Sequence, residues 1–272
     1  MSILRNVIIM ENNIYKYENL LMDINELKKT HPQIPIYSIG KSVGGKELYA
    51  IKIGNGSRKV FLNGCHHGME WLTAKILIEF AKDISCEPSD MSATVYIVPM
   101  VNPDGVEISA SVDGWQANAN GVDLNHNYDA LWELSKQTEL NYGISKPGAT
   151  RFGGEFPESE PETRAVANFT RQNKFDAAFA LHSQGRVIYY DFCGIVPSGT
   201  EDYLKRFEQV SSYVRDIPDG IASYGGFKDW FIKKFRKPAF TIEVGKGKNP
   251  LPLSDFDKVY SEVLPILYEA IK

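Results

Sequence analysis

Short apolar runs alternate with segments of helical periodicity along almost the whole chain, and this alternation limits the possible folds most strongly. Apolar, β-rich runs lie at residues 59 to 64, 93 to 102, 175 to 183, 187 to 192 and 239 to 244. Helical patterns cover residues 15 to 30, 70 to 84, 159 to 173, 201 to 215 and 256 to 271. Such alternation predicts an α/β fold with a mostly parallel sheet covered by helices on both faces.

Turn-forming residues separate these elements. Gly44-Gly45 joins two strands in a predicted hairpin, and the Asn-Pro-Asp-Gly sequence from Asn102 is predicted to stop a strand as a turn. Ser159 is the predicted N-cap of its helix, with Glu162 at the capping-box position. The segment from about 103 to 160 shows little periodicity, and loops of this length are usually functional or disordered. No linker divides the chain, so a single domain over 1–272 is expected, with a core at about 15–270.

The composition is that of a globular protein. Of 272 residues, 43% are hydrophobic and 24% charged, and the formal net charge is −4. This balance gives no electrostatic reason to expect nucleic acid or anionic membrane as a partner. Three scattered cysteines favour a reducing compartment, and the apolar stretch Val7 to Met10 is too short for a signal segment. No run reaches the ~20 apolar residues of a membrane span. A cytoplasmic protein is therefore expected, and release by lysis or a targeting segment outside this sequence stays open as an alternative.

Three strand ends carry groups that bind metals or move protons. His67 and Glu70 follow the run at 59 to 64, His182 ends another run, and Glu243 lies near the end of a third. Ligands bind where strands end in open α/β sheets, and two histidines with one carboxylate form a known catalytic zinc set. An isolated HxxE also arises by chance, and a lone strand-end histidine is more often structural. His66 has no partner at the same offset and is interpreted as structural.

Further motifs occur in a fixed order along the chain. They are Gly64-x-x-His67-x-x-Glu70-Trp71, Asn102-Pro103-Asp104-Gly105, Gly121-Val122-Asp123-Leu124-Asn125, Leu181-His182-Ser183 and Thr241-Ile242-Glu243. With these five motifs the chain resembles the zinc carboxypeptidase family over about residues 15 to 270. The resemblance implies a three-layer α/β/α fold with a mixed, twisted sheet of about eight strands. It also implies one Zn²⁺ per chain, held by His67, Glu70 and His182.

The resemblance assigns two further carboxylates. Glu243 matches the family's catalytic glutamate, which takes a proton from zinc-activated water and delivers it to the leaving amine. The alternative is an exposed or salt-bridged strand-end residue. Asp123 matches the acid that accepts a hydrogen bond from the first zinc histidine, which would fix the tautomer of His67. An Asx-turn role for Asp123 stays open.

The chain departs from the family's pattern at the substrate-binding positions. Relatives bind a C-terminal carboxylate with an Asn-Arg pair, and here the pair is Asn125-His126. A histidine has fewer donors than arginine, so a weaker grip is expected. Gln116 stands where relatives place an oxyanion-stabilising arginine, and it brings a hydrogen bond without charge. Tyr224 is a candidate for the capping tyrosine, although the family position corresponds to Ile221; a packed loop aromatic is the alternative.

These departures, together with the strings WxAN, HSQG, GGFKDWF and FTIEVGKGxNPLPL, resemble one bacterial branch, the γ-D-glutamyl-L-diamino acid peptidases. That branch cuts between γ-D-Glu and meso-diaminopimelate or Lys in peptidoglycan stem peptides. A diaminopimelate residue carries a second amino-acid end, which requires polar and cationic groups in the pocket. Lys228 or Arg186 is proposed to bind its carboxylate, and either could instead be a solvated surface charge. The predicted partner is thus a peptidoglycan-derived peptide; the oligomeric state stays open.

Two other functions remain possible from the sequence. The first is a general metallocarboxypeptidase on ordinary peptides, or an amide deacylase on small acyl-amino acids. The second is a non-catalytic protein that binds murein peptides. The presence of His67, Glu70, His182 and Glu243 argues against the second, whereas Gln116 leaves room for it.

Overall fold

Eight strands form one mixed sheet in the computed structural model, which describes residues 14–86 and 91–272. In chain order they are β1 (Ile36–Lys41), β2 (Glu47–Ile53), β3 (Arg58–Gly64), β4 (Ala93–Val98), β5 (Ala177–Ser183), β6 (Val187–Tyr189), β7 (Val214–Asp216) and β8 (Ala239–Val244). Their order across the sheet is β1-β2-β4-β3-β5-β8-β6-β7. The central strands β4, β3, β5 and β8 are parallel, and β2 and β6 flank them in antiparallel pairing. The predicted mixed eight-stranded sheet is confirmed.

Helices cover both faces of this sheet. They are α1 (Tyr17–Thr30), α2 (Trp71–Ser85), α3 (Pro103–Ser109), α4 (Trp132–Asn141), α5 (Pro161–Asn173), α6 (Thr200–Val210), α7 (Phe227–Phe235) and α8 (Phe256–Ile271). One buried cluster joins the sheet to α1, α2, α6 and α8. A second cluster joins its other face to α5, α7 and parts of the 103–160 segment. This is the α/β/α arrangement that the resemblance implied.

Strand alternation explains how one strand serves both faces. Along β3, Val60 and Leu62 belong to the first cluster while Phe61 belongs to the second, and all three are fully buried. Successive side chains of a strand point to opposite faces, so a strand between two helical layers is apolar at every position. The continuous apolar runs that predicted central strands have this origin.

The segment from 103 to 160 contains more structure than the sequence predicted. Asn102 does not stop the chain in a turn but begins α3, because its side chain accepts a hydrogen bond from the Gly105 N–H at 2.9 Å and Pro103 occupies the first helical position. Helix α4 was not predicted because its buried positions are the polar Ser135 and Glu139, so the sequence shows no apolar stripe there. Neither helix was predicted.

Other boundaries also differ from the predictions. Ser159 is not the N-cap of α5: the cap is Glu160, because Pro161 occupies the first helical position and the Ser159 hydroxyl accepts a hydrogen bond from Asn127. The helix predicted at 201 to 215 ends at Val210, before the exposed strand β7. Helix α7, which had no predicted counterpart, follows Gly226.

The localisation expected from the sequence is based on the apolar stretch Val7 to Met10, on the cysteines and on the lack of a membrane span. The apolar stretch Val7 to Met10 lies outside the described residues. Cys65, Cys86 and Cys193 are all free thiols, and Cys65 is buried. Within the described ranges, none of the helices combines the length and apolar character needed to cross a bilayer.

Candidate active site

Three parallel strands bring the predicted metal and catalytic residues to one edge of the sheet. Strand β3 ends at Gly64 and leads through a short 3-10 turn (Gly68–Glu70) into α2. His182 lies next to the end of β5, and it is directly paired with Glu243 on β8. The carboxyl ends of parallel strands share an edge, so residues remote in sequence converge there.

The loop after β3 turns sharply to present two of these side chains. Cys65 adopts a left-handed backbone with φ 57°, and its N–H donates to the Thr73 hydroxyl at 2.8 Å. Gly68 packs so closely on the backbone of Gly105 that an added Cβ would lie 2.3 Å from the Gly105 carbonyl oxygen. Only glycine permits this approach. The packing of the loop after β3 against α3 therefore depends on Gly68 and on the Asn102-Pro103-Asp104-Gly105 motif that begins α3.

His67, Glu70 and His182 form a buried cluster with metal-ligand geometry. Glu70 Oε1 lies 2.8 Å from His67 Nδ1, Glu70 Oε2 lies 3.0 Å from His182 Nδ1, and the two Nδ1 atoms are 3.3 Å apart. One ligand atom from each residue lies within 4.8 Å of the others. A tetrahedral zinc with bonds of about 2.0–2.2 Å separates its ligands by roughly 3.3–3.6 Å. The three residues therefore fit a zinc ion.

The electrostatics of the cluster also suit a cation. Burial opposes ionisation of Glu70, but the facing His67 and His182 lower its pKa to about 2. Burial likewise disfavours a charged His67, but Glu70 and Asp123 outweigh it and raise its pKa well above the ordinary value. A negative potential that holds a proton on this imidazole equally favours a metal ion in its place.

Asp123 lies behind His67, on the side away from Glu70. Its Oδ1 is 3.2 Å from His67 Nε2 and also accepts the Asn125 N–H at 3.1 Å, while its Oδ2 accepts the Arg151 N–H at 2.9 Å. The position agrees with the predicted support of a zinc histidine and equally with the Asx-turn alternative. The Asp123 carboxylate therefore makes both the contact to His67 and the Asx-turn hydrogen bond to the Asn125 N–H.

Glu243 faces the cluster from β8. Burial and the negative charge of Glu70 raise the pKa of Glu243 to about 8, although His67 and Arg151 act in the opposite direction. A carboxylate with an elevated pKa is a stronger base than an ordinary glutamate, as a general base near neutral pH requires. The burial of Glu243 and its proximity to Glu70 therefore suit the predicted role of general base.

His66 has the structural environment predicted for it. Its Nε2 lies 3.0 Å from the Tyr128 hydroxyl, and the ring is completely buried and stacks on His182. Its backbone carbonyl accepts a hydrogen bond from Asn102 at 2.9 Å. The residue thus packs behind the metal ligands.

A polar cavity of about 430 Å³ opens in front of these residues. Beyond His67, Glu70, His182 and Glu243, its lining includes Gln116, Asn125, His126, Arg151, Gln184, Asp216, Asp219, Lys228, Asp229 and Asn249. Arg151, Gln184, Asp216, Asp219, Asp229 and Asn249 were not singled out from the sequence. They reach the cavity from β7 (Asp216), from α7 (Asp229) and from separate loops, so no single local pattern groups them.

The predicted substrate-binding residues and the predicted oxyanion donor Gln116 fall into two groups. Gln116, Asn125, His126 and Lys228 line the cavity. Arg186 does not: its guanidinium pairs with Glu262 on α8, with Nε 3.0 Å from Glu262 Oε2. Tyr224 lines a neighbouring cavity of about 350 Å³ and packs partly against the second core cluster.

Lys228 reaches the cavity wall as half of an ion pair. Its side chain is only 4% exposed, and its Nζ contacts Asp229 Oδ1 and the Asp191 carbonyl oxygen. Burial raises the pKa of Asp229, and Lys228 opposes that rise. The charge of Lys228 is thus largely balanced within the protein.

Comparison with known proteins agrees with this geometry. The family model for zinc carboxypeptidase matches residues 20–265. A γ-D-glutamyl-L-diamino acid endopeptidase 1 of Lysinibacillus sphaericus is 36% identical over 93% of this chain and 71% of its own. An uncharacterized Bacillus subtilis protein, YqgT, is 31% identical over 96% of this chain and 78% of its own.

A solved structure shows the same fold at lower identity. Bovine thrombin-activatable fibrinolysis inhibitor superimposes with a TM-score of 0.79 at 22% identity, covering 95% of this chain and 96% of that chain. The matched range, the two relatives and the shared fold lead to one conclusion. The chain belongs to the zinc carboxypeptidase family.

Proposed function

We propose that the protein is a zinc-dependent peptidase that hydrolyses the amide between γ-D-Glu and meso-diaminopimelate, or Lys, in peptidoglycan stem peptides. The observation that carries the chemistry is the convergence of His67, Glu70 and His182 opposite Glu243, at the floor of a polar cavity. The relative that is 36% identical, named as a γ-D-glutamyl-L-diamino acid endopeptidase, supports the substrate class.

The protein's own residues account for the acid-base steps. His67, Glu70 and His182 would hold the zinc, which when bound polarises the substrate carbonyl and lowers the pKa of water. Glu243 accepts the proton of the attacking water and then donates it to the leaving amine. Burial and the charge of Glu70 raise the pKa of Glu243, which makes the carboxylate a better proton acceptor than an ordinary glutamate.

Gln116 is suited to stabilise the developing oxyanion. Its side-chain carbonyl accepts a hydrogen bond from the Thr150 hydroxyl, and its backbone N–H donates to the Ala149 carbonyl at 2.8 Å. The side-chain NH₂ therefore remains available to donate into the cavity. A preorganised donor of this kind lowers the barrier because it needs no reorientation as charge develops.

The charge pattern of the cavity favours a zwitterionic leaving residue. Arg151 supplies a positive group and Asp216 and Asp219 supply negative ones, whereas Lys228 and Asp229 balance each other. A diamino acid carries an ammonium and carboxylates beyond the scissile bond, so a lining of both signs can match it. An apolar leaving residue would leave these groups without partners.

The direct test uses the tripeptide L-Ala-γ-D-Glu-meso-diaminopimelate with zinc-loaded protein, and mass spectrometry of the products. Free diaminopimelate is the expected product, and chelation of zinc should abolish its release until zinc is restored. A matched peptide with an ordinary α-linked L-Glu and a C-terminal Phe serves as the control. Cleavage of the control alone would replace this proposal by a general metallocarboxypeptidase, and cleavage of neither would favour a binding protein.

A further inference from the structure

The positions that resemble the family's carboxylate clamp contain no arginine, and His126 cannot supply the missing charge. Its ring is buried, and its Nε2 lies 3.2 Å from Arg151 Nη1. Because a guanidinium only donates, Nε2 must accept, which places the ring hydrogen on Nδ1 facing Ser135 Oγ at 3.4 Å. Burial and the charge of Arg151 also lower the pKa of His126 to about 4. The imidazole is therefore neutral and has both nitrogens occupied by protein groups.

Arg151 is the guanidinium at this end of the cavity. It lines the cavity directly and is partly exposed. Arg171, Arg186 and Arg215 each pair with a glutamate. In the part of the chain that the structure describes, Arg151 has no carboxylate partner, and its side chain contacts His126 instead. Its charge is thus free to meet an anion that enters the cavity.

The backbone fixes Arg151 relative to the metal ligands. Its N–H donates to Asp123 Oδ2 at 2.9 Å, and the other oxygen of that carboxylate lies 3.2 Å from His67 Nε2. The residue adopts a left-handed conformation with φ 68°. Such a conformation is costly for a non-glycine residue and persists only where surrounding contacts enforce it. Arg151 is therefore held in place by the same carboxylate that supports His67.

A second donor stands beside it. Asn125 Oδ1 accepts the Phe227 N–H at 3.0 Å, so the Asn125 side-chain NH₂ remains available to the cavity. An arginine fork with a neighbouring amide donor is well suited to a carboxylate, since both oxygens gain charge-assisted or directional hydrogen bonds.

We propose that Arg151, with Asn125, binds the carboxylate on the carbon attached to the scissile nitrogen, and that His126 is a positioning residue that orients the Arg151 guanidinium. The arginine function that relatives place beside the asparagine is thus supplied from 26 residues farther along the chain. This inference rests on the proposed function for the identity of the leaving residue. The shared chemistry is a free carboxylate next to the bond that is cut.

The test combines one enzyme change with one substrate change. Arg151→Gln is compared with wild type on L-Ala-γ-D-Glu-meso-diaminopimelate and on the same peptide with only that carboxylate converted to an amide. The variant should lower kcat/KM roughly 10- to 100-fold on the free carboxylate, mainly through KM, because a charged hydrogen bond is lost. On the amidated peptide the two proteins should be nearly equal. Arg151→Lys should recover part of the loss, since it keeps the charge without the planar fork.

Controls separate binding from folding. Arg236→Gln is a matched variant, because Arg236 also has a left-handed backbone, with φ 54°, but is exposed on the surface and absent from the cavity lining. It should leave both peptides unaffected. Zinc content and Tm of Arg151→Gln should equal those of wild type. His126→Gln should raise KM on the free carboxylate only, and should add little to Arg151→Gln.

Calorimetric titration with free meso-diaminopimelate gives a readout without turnover. Wild type should bind it roughly 10- to 100-fold more tightly than Arg151→Gln. An equal loss of kcat on both peptides would assign Arg151 to the oxyanion and overturn the proposal, as would no loss on either. If wild type cleaves neither peptide but binds diaminopimelate through Arg151, the proposed function fails and the carboxylate assignment stands. If it neither cleaves nor binds, both fail.

Discussion

The metal end of the cavity and its recognition end rest on different kinds of backbone. The metal end consists of His67, Glu70, His182 and Glu243, which lie at or just beyond the carboxyl ends of β3, β5 and β8. The recognition end consists of Asn125, His126 and Arg151, which come from a short 3-10 turn (Leu124–His126) and a loop between α3 and α5. One end is held by hydrogen bonds between strands and the other by contacts between side chains and loops.

This difference in backbone determines which site residues are held rigidly and which can change without disturbing the sheet. Paired strands hold His182 and Glu243 in register, so the metal and the base cannot shift independently. The recognition segment is tied by polar side chains instead: Asn118 donates to Glu160 and Glu162 at 2.8 and 3.1 Å. Changes in such a segment can alter substrate choice without disturbing the sheet. We therefore expect variants at the metal end to affect chemistry, and variants at the recognition end to affect KM.

The largest expected effect is that of Glu243→Gln at the metal end. Removing a general base typically costs 10²- to 10⁴-fold, and we expect kcat to fall by about that factor with KM little changed. Zinc content should be unchanged, because Glu243 is not one of the three ligands. Steady-state kinetics and metal analysis measure the two quantities. Glu201→Gln, at an exposed position of α6, is the control and should be fully active. An active Glu243→Gln enzyme would show that another group moves the proton.

The next-largest expected effect concerns Asp123, which contacts His67 at the metal end and Arg151 at the recognition end. Asp123→Asn should weaken zinc binding by roughly 10- to 100-fold, because the carboxylate behind His67 Nε2 fixes the tautomer that presents Nδ1 to the metal. Competition with a chelator measures the affinity. Asp104→Asn is a suitable control, since Asp104 is also a buried aspartate that accepts a backbone N–H, from Gly44, but lies outside the cavity. If both variants kept normal affinity, Asp123 would have only its role in the Asx turn.

The same contrast explains what the sequence could predict. Strand ends are visible as apolar runs that stop, and parallel strands force their carboxyl ends together, so the placement of His67, His182 and Glu243 at one edge followed from order alone. The structure brings these side chains together as expected, and their catalytic roles remain proposals. The fold was predictable for the same reason, since the apolar alternation that marks the strands also determines the layers.

The recognition end could not be predicted in this way. Arg151 follows a Gly-Ala-Thr sequence with no motif of its own, and its position beside the cavity involves contacts with Asp123 and His126, which are distant in sequence. Helix α4, which supports His126 through Ser135, has polar residues on its buried side and therefore gives no periodic signal. The positions of these side chains depend on contacts between residues that are distant in sequence, and local sequence patterns do not reveal such contacts.

The smallest predicted effect concerns the support beneath the recognition end. Glu139 is buried on α4, and its Oε1 accepts the Gly153 N–H at 3.1 Å while its Oε2 pairs with Lys136 at 2.7 Å. Glu139→Ala leaves that N–H without a partner, which should reduce the free energy of unfolding by about 1–3 kcal/mol. Because Gly153 is two residues from Arg151, KM should rise several-fold. Equal zinc content and kcat would confirm that the metal end is unaffected; a loss of zinc would contradict the separation of the two ends.

Glu139→Gln separates the shape of this support from its charge. Burial raises the pKa of Glu139 above its ordinary value of 4.5, against the opposing effect of Lys136. The unfolded chain therefore releases this proton at lower pH than the folded protein. The stability of wild type relative to Glu139→Gln should fall as pH rises from about 4.5 through the raised pKa, and then stay constant. Chemical denaturation of both proteins across this range measures the difference. A relative stability that rises with pH would show that Lys136 outweighs burial, and that the charge itself supports the recognition end.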